Sequence, residues 1–139
     1  MYIDIVNLLS EIAGEVNPNG TFYHGRVSDA NLAIEQKPLP QIHLYPFKIT
    51  HPVNNGVDNV PNILMAFIFQ DSPNSSDVER TETVNLADIM QRKFENWLIS
   101  RDVQYSNYEA EPFYKQFNGI TSGMFVRFTL QIKTDPCAL

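Results

Sequence analysis

The side chains able to do chemistry in this chain are few and scattered. His24, His43 and His51 fall on three different expected elements, without the close spacing of a zinc or facial-triad site, so ordinary packing roles are the simpler reading. A site assembled in space stays open. Cys137 stands at the far end of the sequence, where a thiol lacks the fixed base that a nucleophile needs. Glu79, Glu82, Asp88 and Glu95 follow one another along an expected helix, on which outward carboxylates are ordinary. Glu109 and Glu111 alternate on a strand pattern and can share a face, yet no second feature makes them an acid/base pair. Gly119 and Gly123 lead into a strand, whereas a phosphate cradle leads into a helix, so both read as turn glycines. Phe94 and Trp97 sit at helical spacing and read as core rather than as a ligand stack. The expectation is therefore no catalytic residue, no metal site and no cofactor.

The elements that position these residues can be read from hydrophobic periodicity. Leu86, Ile89, Met90, Phe94, Trp97 and Leu98 recur at intervals of three and four within Asp77 to Ile99, which predicts a long amphipathic helix whose apolar stripe meets a sheet. Ser76 and Glu79 fit a capping box at its start. Ile5, Leu8, Leu9, Ile12 and Val16 predict an earlier helix, stopped by Asn17-Pro18-Asn19-Gly20. Strands are expected at Thr21 to Val27, with Gly25 at a bulge or close backbone approach, and at Gln41 to Ile49, where Pro46 argues for an edge or a break. Thr50 to Pro61 reads as a turn-rich loop. Asn62 to Gln70 is apolar on both faces, the pattern of a doubly covered central strand. Val103 to Lys115 predicts a strand bent around Glu109 to Pro112, and Met124 to Lys133 is the clearest strand of all.

The order is α-β-β-β-α-β-β in a single domain over residues 1–139. Short connections favour antiparallel neighbours, so the fold class is α+β, with one mostly antiparallel β-sheet and two α-helices packed on one face.

Composition narrows the partners. Sixteen Asp and Glu against ten Lys and Arg give a formal net charge of -6, a field that repels phosphate backbones and anionic lipid heads. The cations are not clustered with aromatics. Neither sequence-specific nucleic-acid binding nor a membrane is expected, and the single cysteine points to a reducing compartment. The apolar run Ile63 to Phe69 is too short to span a bilayer, so a soluble intracellular product is expected.

Several stretches together carry a resemblance. A short helix ends at a Pro-Asn-Gly turn, and FYHGR, PQIHLYPF and NILMAFIFQDSP follow; then come an Asn-Ser-Ser turn, a helix with FENWL near its end and a closing strand GMFVRFTLQI. This order resembles the small tail-completion proteins of long-tailed bacteriophages and prophages, the tail terminator and head-tail joining group. The resemblance spans most of the chain and rests on order and pattern rather than on a fixed motif. It implies a non-enzymatic virion structural protein that forms a homo-oligomeric ring, commonly a hexamer, capping the tail tube and contacting the neck or head-tail connector proteins. Such a protein resides in the virion tail or neck, and in the host cytoplasm during assembly. A small intracellular α+β enzyme or ligand-binding module of unknown substrate is the alternative, and it would require a polar pocket with perturbed titratable groups.

No interface residues transfer from the resemblance, so they follow from the pattern alone. The candidate oligomer interface is the second face of the apolar strand, Leu64, Ala66 and Ile68, together with Val53, Asn55 and Val57 of the neighbouring loop. If that face lies between subunits, Ala66→Asp abolishes assembly and leaves the far-UV circular dichroism unchanged. Loss of the dichroism signal makes the face core instead.

Overall fold

The computed structural model describes residues 1–26, 39–51, 56–72, 74–116 and 121–133, with the backbone alone at 115 and 116. Two helices, α1 (Tyr2–Val16) and α2 (Asp77–Ser100), accompany five strands: β1 (Thr21–His24), β2 (Gln41–Leu44), β3 (Val57–Gln70), β4 (Gln104–Gln116) and β5 (Thr121–Lys133). The strands form one sheet in the order β1-β2-β3-β5-β4. Only β1 and β2 run parallel; the other neighbours are antiparallel. Both helices pack on one face, so the α+β class and the element order agree with the sequence reading.

The main core lies between that face and the helices. Ile63, Met65 and Phe67 of β3 and Met124, Val126, Phe128 and Leu130 of β5 meet Ile5, Leu9 and Ile12 of α1 and Phe94 and Leu98 of α2. The Phe94 ring stands edge-on to Phe67, with centroids 5.6 Å apart, and tilts toward Phe128 at 6.3 Å. These are the offset geometries that the ring quadrupole favours.

Local signals set the element ends. Ser76 Oγ accepts from the Glu79 amide at 3.2 Å and Glu79 Oε1 accepts from the Ser76 amide at 3.4 Å, the reciprocal capping box. At the end of α1, the Asn17 side-chain amide donates to the Pro40 carbonyl at 2.9 Å, tying the helix end to the start of β2. Asp71 closes the far end of β3: one carboxylate oxygen accepts from Ser72 N at 2.8 Å and the other from the Ser122 hydroxyl at 2.6 Å.

Four expectations change. The strand at 41 stops at Leu44, before Pro46, and is internal rather than an edge, with all four residues buried. β3 begins at Val57, inside the stretch read as a loop, because Pro61 coincides with a register shift between Val60 and Ile63, where a missing donor does no harm. Gly123 belongs to β5, paired with Ile68 and Phe113, rather than to a turn. The face of α2 against the sheet is also narrower than its apolar stripe. The buried line is Ala87, Gln91, Phe94 and Leu98, whereas Leu86, Ile89 and Trp97 are 53%, 44% and 36% exposed. Small Ala87 lets the helix approach closely along its own row, which leaves the adjacent row outside.

Expectations at Val27, Ser28 to Pro38, Val53 to Asn55, Gly119 and Cys137 lie outside the described residues. Among the described residues no helix is long and apolar enough to cross a membrane.

Gly123 is required by close approach. A Cβ there would lie 1.9 Å from the Phe67 carbonyl oxygen and 3.1 Å from the Phe113 ring. Gly123→Ala is expected to lower unfolding free energy by about 1–3 kcal/mol, the usual cost of overpacking, in a urea titration. An unchanged midpoint would refute the tight β3–β5 contact.

Candidate functional site

The sheet face turned away from the helices is covered unevenly. Register places side chains there in rows across β3, β5 and β4: Ile68, Gly123 and Phe113; then Ala66, Phe125 and Glu111; then Leu64, Arg127 and Glu109. The first row is closed. Tyr45, Ala66, Ile68 and Phe113 form a second buried cluster, against which Leu39, Leu64 and Phe125 are partly buried. Phe113 and Phe125 tilt together at 4.7 Å. The middle row is open at its Glu111 end and the last row is open throughout, with Arg127, Glu109 and Glu111 exposed around the partly buried Leu64 and Phe125.

A broad groove of about 640 Å³ follows this opening, lined by Leu64, Glu109, Glu111, Phe125 and Arg127. A neighbouring hollow shares Leu64 and Arg127 and extends to Tyr45, Pro46 and Asn62. Together they make a shallow surface with an apolar floor, one guanidinium and two carboxylates.

The expected interface residues separate on this surface. Ala66 and Ile68 have no exposed area in the single chain, because Tyr45 and Phe113 share their cluster, so they act as the floor of the face rather than as contacts. A charge at Ala66 is accordingly a core substitution. Leu64 keeps its place at the opening. Val57 lies seven positions before Leu64 on β3, roughly 20 Å away at strand rise, and partly buried beside a different groove with Leu8, Val103 and Ile132. Val53 and Asn55 lie outside the described residues. Phe125 was missed by the sequence reading, although it shares the parity of Arg127 and breaks an otherwise polar alternation.

Each histidine has partners of its own. His24 donates through Nδ1 to the Leu44 carbonyl at 2.8 Å, which leaves Nε2 to accept from the Tyr2 hydroxyl at 3.0 Å. His43 Nε2 donates to the Gly25 carbonyl at 2.9 Å, and its ring stacks on Tyr45 at 4.3 Å. His51 Nδ1 lies 2.8 Å from Asp58 Oδ1, a contact that pins the residues flanking the Thr50–Asn59 bridge. Among the described residues no group of three His, Cys, Asp or Glu side chains could hold a metal ion.

Between α2 and β4 lies a polar seam. The Tyr105 hydroxyl donates to Glu95 at 2.8 Å and the Tyr108 hydroxyl to the Gln91 carbonyl at 3.1 Å. Burial, and then the charge of Glu95, raise the Tyr108 phenol far above its usual range. Burial also opposes ionisation of Asp88, but hydrogen bonds from Gln91 and Arg92 and the Arg92 charge outweigh it and hold this carboxyl below 3.8. The seam therefore carries neutral phenols at ordinary pH, fit for holding α2 on β4.

Comparison with the models of known protein families gives no match, and comparison with curated proteins gives none.

Tyr45, at the boundary between the closed and open parts of the face, titrates abnormally: burial pushes its phenol from 10.0 up to about 12. Its folded value lies above the unfolded one, so its stability contribution is complete below about pH 10 and disappears as pH rises toward about 12. Urea midpoints at about pH 9 and about pH 11 should show Tyr45→Phe losing less stability with alkali than the parent, by on the order of 1–2 kcal/mol. Equal losses would mean that Tyr45 is solvated in the fold.

Proposed function

We propose that this chain is a tail-completion subunit of a long-tailed phage or prophage: a non-enzymatic virion protein that closes into a ring at the end of the tail tube and meets the neck. The observation that carries the reading is the half-open outer face of the sheet. There Leu64 and Phe125 remain partly accessible beside Arg127, Glu109 and Glu111, after Ala66 and Ile68 have been sealed within the chain. An apolar patch rimmed by charges of both signs is the anatomy of a protein contact. The helices on the opposite face supply a rigid backing, so subunits can meet without folding anew.

Ring closure needs a heterologous contact, in which one patch meets a different patch on the next subunit. Arg127 has a role in that geometry: among the described residues it forms no ion pair, and a carboxylate of a neighbouring subunit would complete it. The formal net charge of -6 also suits a ring through which DNA slides, since like charge does not trap it.

Light scattering across concentration, with negative-stain images, tests the reading. The expected result is a closed ring with a central hole. Leu64→Asp and Arg127→Glu should each weaken its assembly by about tenfold or more, with unchanged far-UV circular dichroism. A monomer at every concentration, or a ring indifferent to both substitutions, counts against this face as the contact.

A further inference from the structure

The long helix leaves a second apolar line uncovered, on the opposite side of the molecule from the proposed ring contact. Val78 is 69% exposed, Leu86 53%, Ile89 44% and Trp97 36%. Single exposed apolar residues are ordinary. These four are not scattered, because with Glu82 and Lys93 they follow one stripe at helical spacing, adjacent to the buried row Ala87, Gln91, Phe94 and Leu98. Ile99 is exposed as well but lies off the stripe. From Val78 to Trp97 the stripe runs roughly 28 Å at helical rise.

The order of residues along the stripe is self-complementary. A two-fold axis crossing α2 between Ala87 and Asp88 sets Leu86 opposite Ile89 of a second copy, Val78 opposite Trp97, and Glu82 opposite Lys93. Each apolar side chain meets an apolar one and each charge meets its opposite, twice over by symmetry. A parallel pairing in register would put Glu82 on Glu82 and Lys93 on Lys93. The surroundings fit the antiparallel arrangement: beside Trp97, between the end of α1 and α2, lies an open groove of about 530 Å³ whose walls include Val16 and Pro18, with Glu15 on its rim. There the Val78 end of a second copy would come to rest.

We propose that α2 is a two-fold docking surface for a second copy of this chain, held by the Leu86/Ile89 and Val78/Trp97 contacts and registered by Glu82 and Lys93. The contact is isologous and so closes on itself. It joins two chains, or two rings face to face if the ring forms, and it stands independently of the ring.

Sedimentation equilibrium of the full chain tests this by charge exchange. Glu82→Lys and Lys93→Glu each replace two attractive pairs by two repulsive ones, and each should weaken the two-fold contact about tenfold, moving the concentration at which the mass doubles upward by about the same factor. The double variant Glu82→Lys/Lys93→Glu restores opposite charges across the axis and should return the mass of the parent. Both positions are solvent-exposed, so the fold is expected to persist, and far-UV circular dichroism checks it. Three results overturn the proposal: a parent that never doubles in mass, single reversals that leave the mass unchanged, or a double variant that fails to regain it.

Discussion

The structure depends on β3 being buried from both sides. Ile63, Met65 and Phe67 enter the core beneath the helices, while Ala66 and Ile68 enter the smaller cluster on the opposite face. A strand buried on both faces between Met65 and Ile68 sits inside a sheet, and β3 accordingly pairs with β2 on one side and with β5 on the other. Its neighbours inherit their positions. β5 must run antiparallel to it and carry Met124, Val126 and Phe128 on the helix side, which in turn fixes where Phe94 can insert.

From that constraint the two faces acquire different characters. The helix face is completed within the chain by α1, α2 and the tyrosine seam from β4, so the surface it presents is the back of the helices. The outer face is completed only at its Phe113 end, and toward Leu64 it opens into a groove edged by Arg127, Glu109 and Glu111. The two candidate contacts lie back to back, one on the sheet and one on α2. Among the described residues no third layer of helix or strand covers either side, so both surfaces are offered.

Several polar groups among the described residues are engaged within the fold. Histidines are engaged with backbone carbonyls or with Asp58, and the Tyr45 and Tyr108 phenols are held protonated by burial. Arg127, Glu109 and Glu111 edge the groove around the partly buried Leu64 and Phe125. Under the function proposed above, that rim is a contact surface between subunits.

Much of the fold was legible from local signals. The Ser76/Glu79 capping box, the Asn17-Pro18 stop and the alternation of Met124 to Lys133 each depend on neighbours in sequence, and each is found where the residues indicate. Other features depended on what lies across space. Pro46 could mark an edge or an end, and only the placement of β1 beside β2 decided for an end. Pro61 could close a loop or occupy a bulge, and the pairing with β5 decided for the bulge. Leu86, Ile89 and Trp97 have the periodicity of core residues, yet a helix touches a sheet along a narrow line, and the approach allowed by Ala87 put that line one row away. The interface reading divided for the same reason. Parity along β3 determined by itself that Leu64, Ala66 and Ile68 share a face, whereas only the arrival of Tyr45 and Phe113 from other strands decided that Ala66 and Ile68 are sealed and Leu64 is left open, because burial is a property of what packs against a residue and not of the residue's own neighbours in the chain.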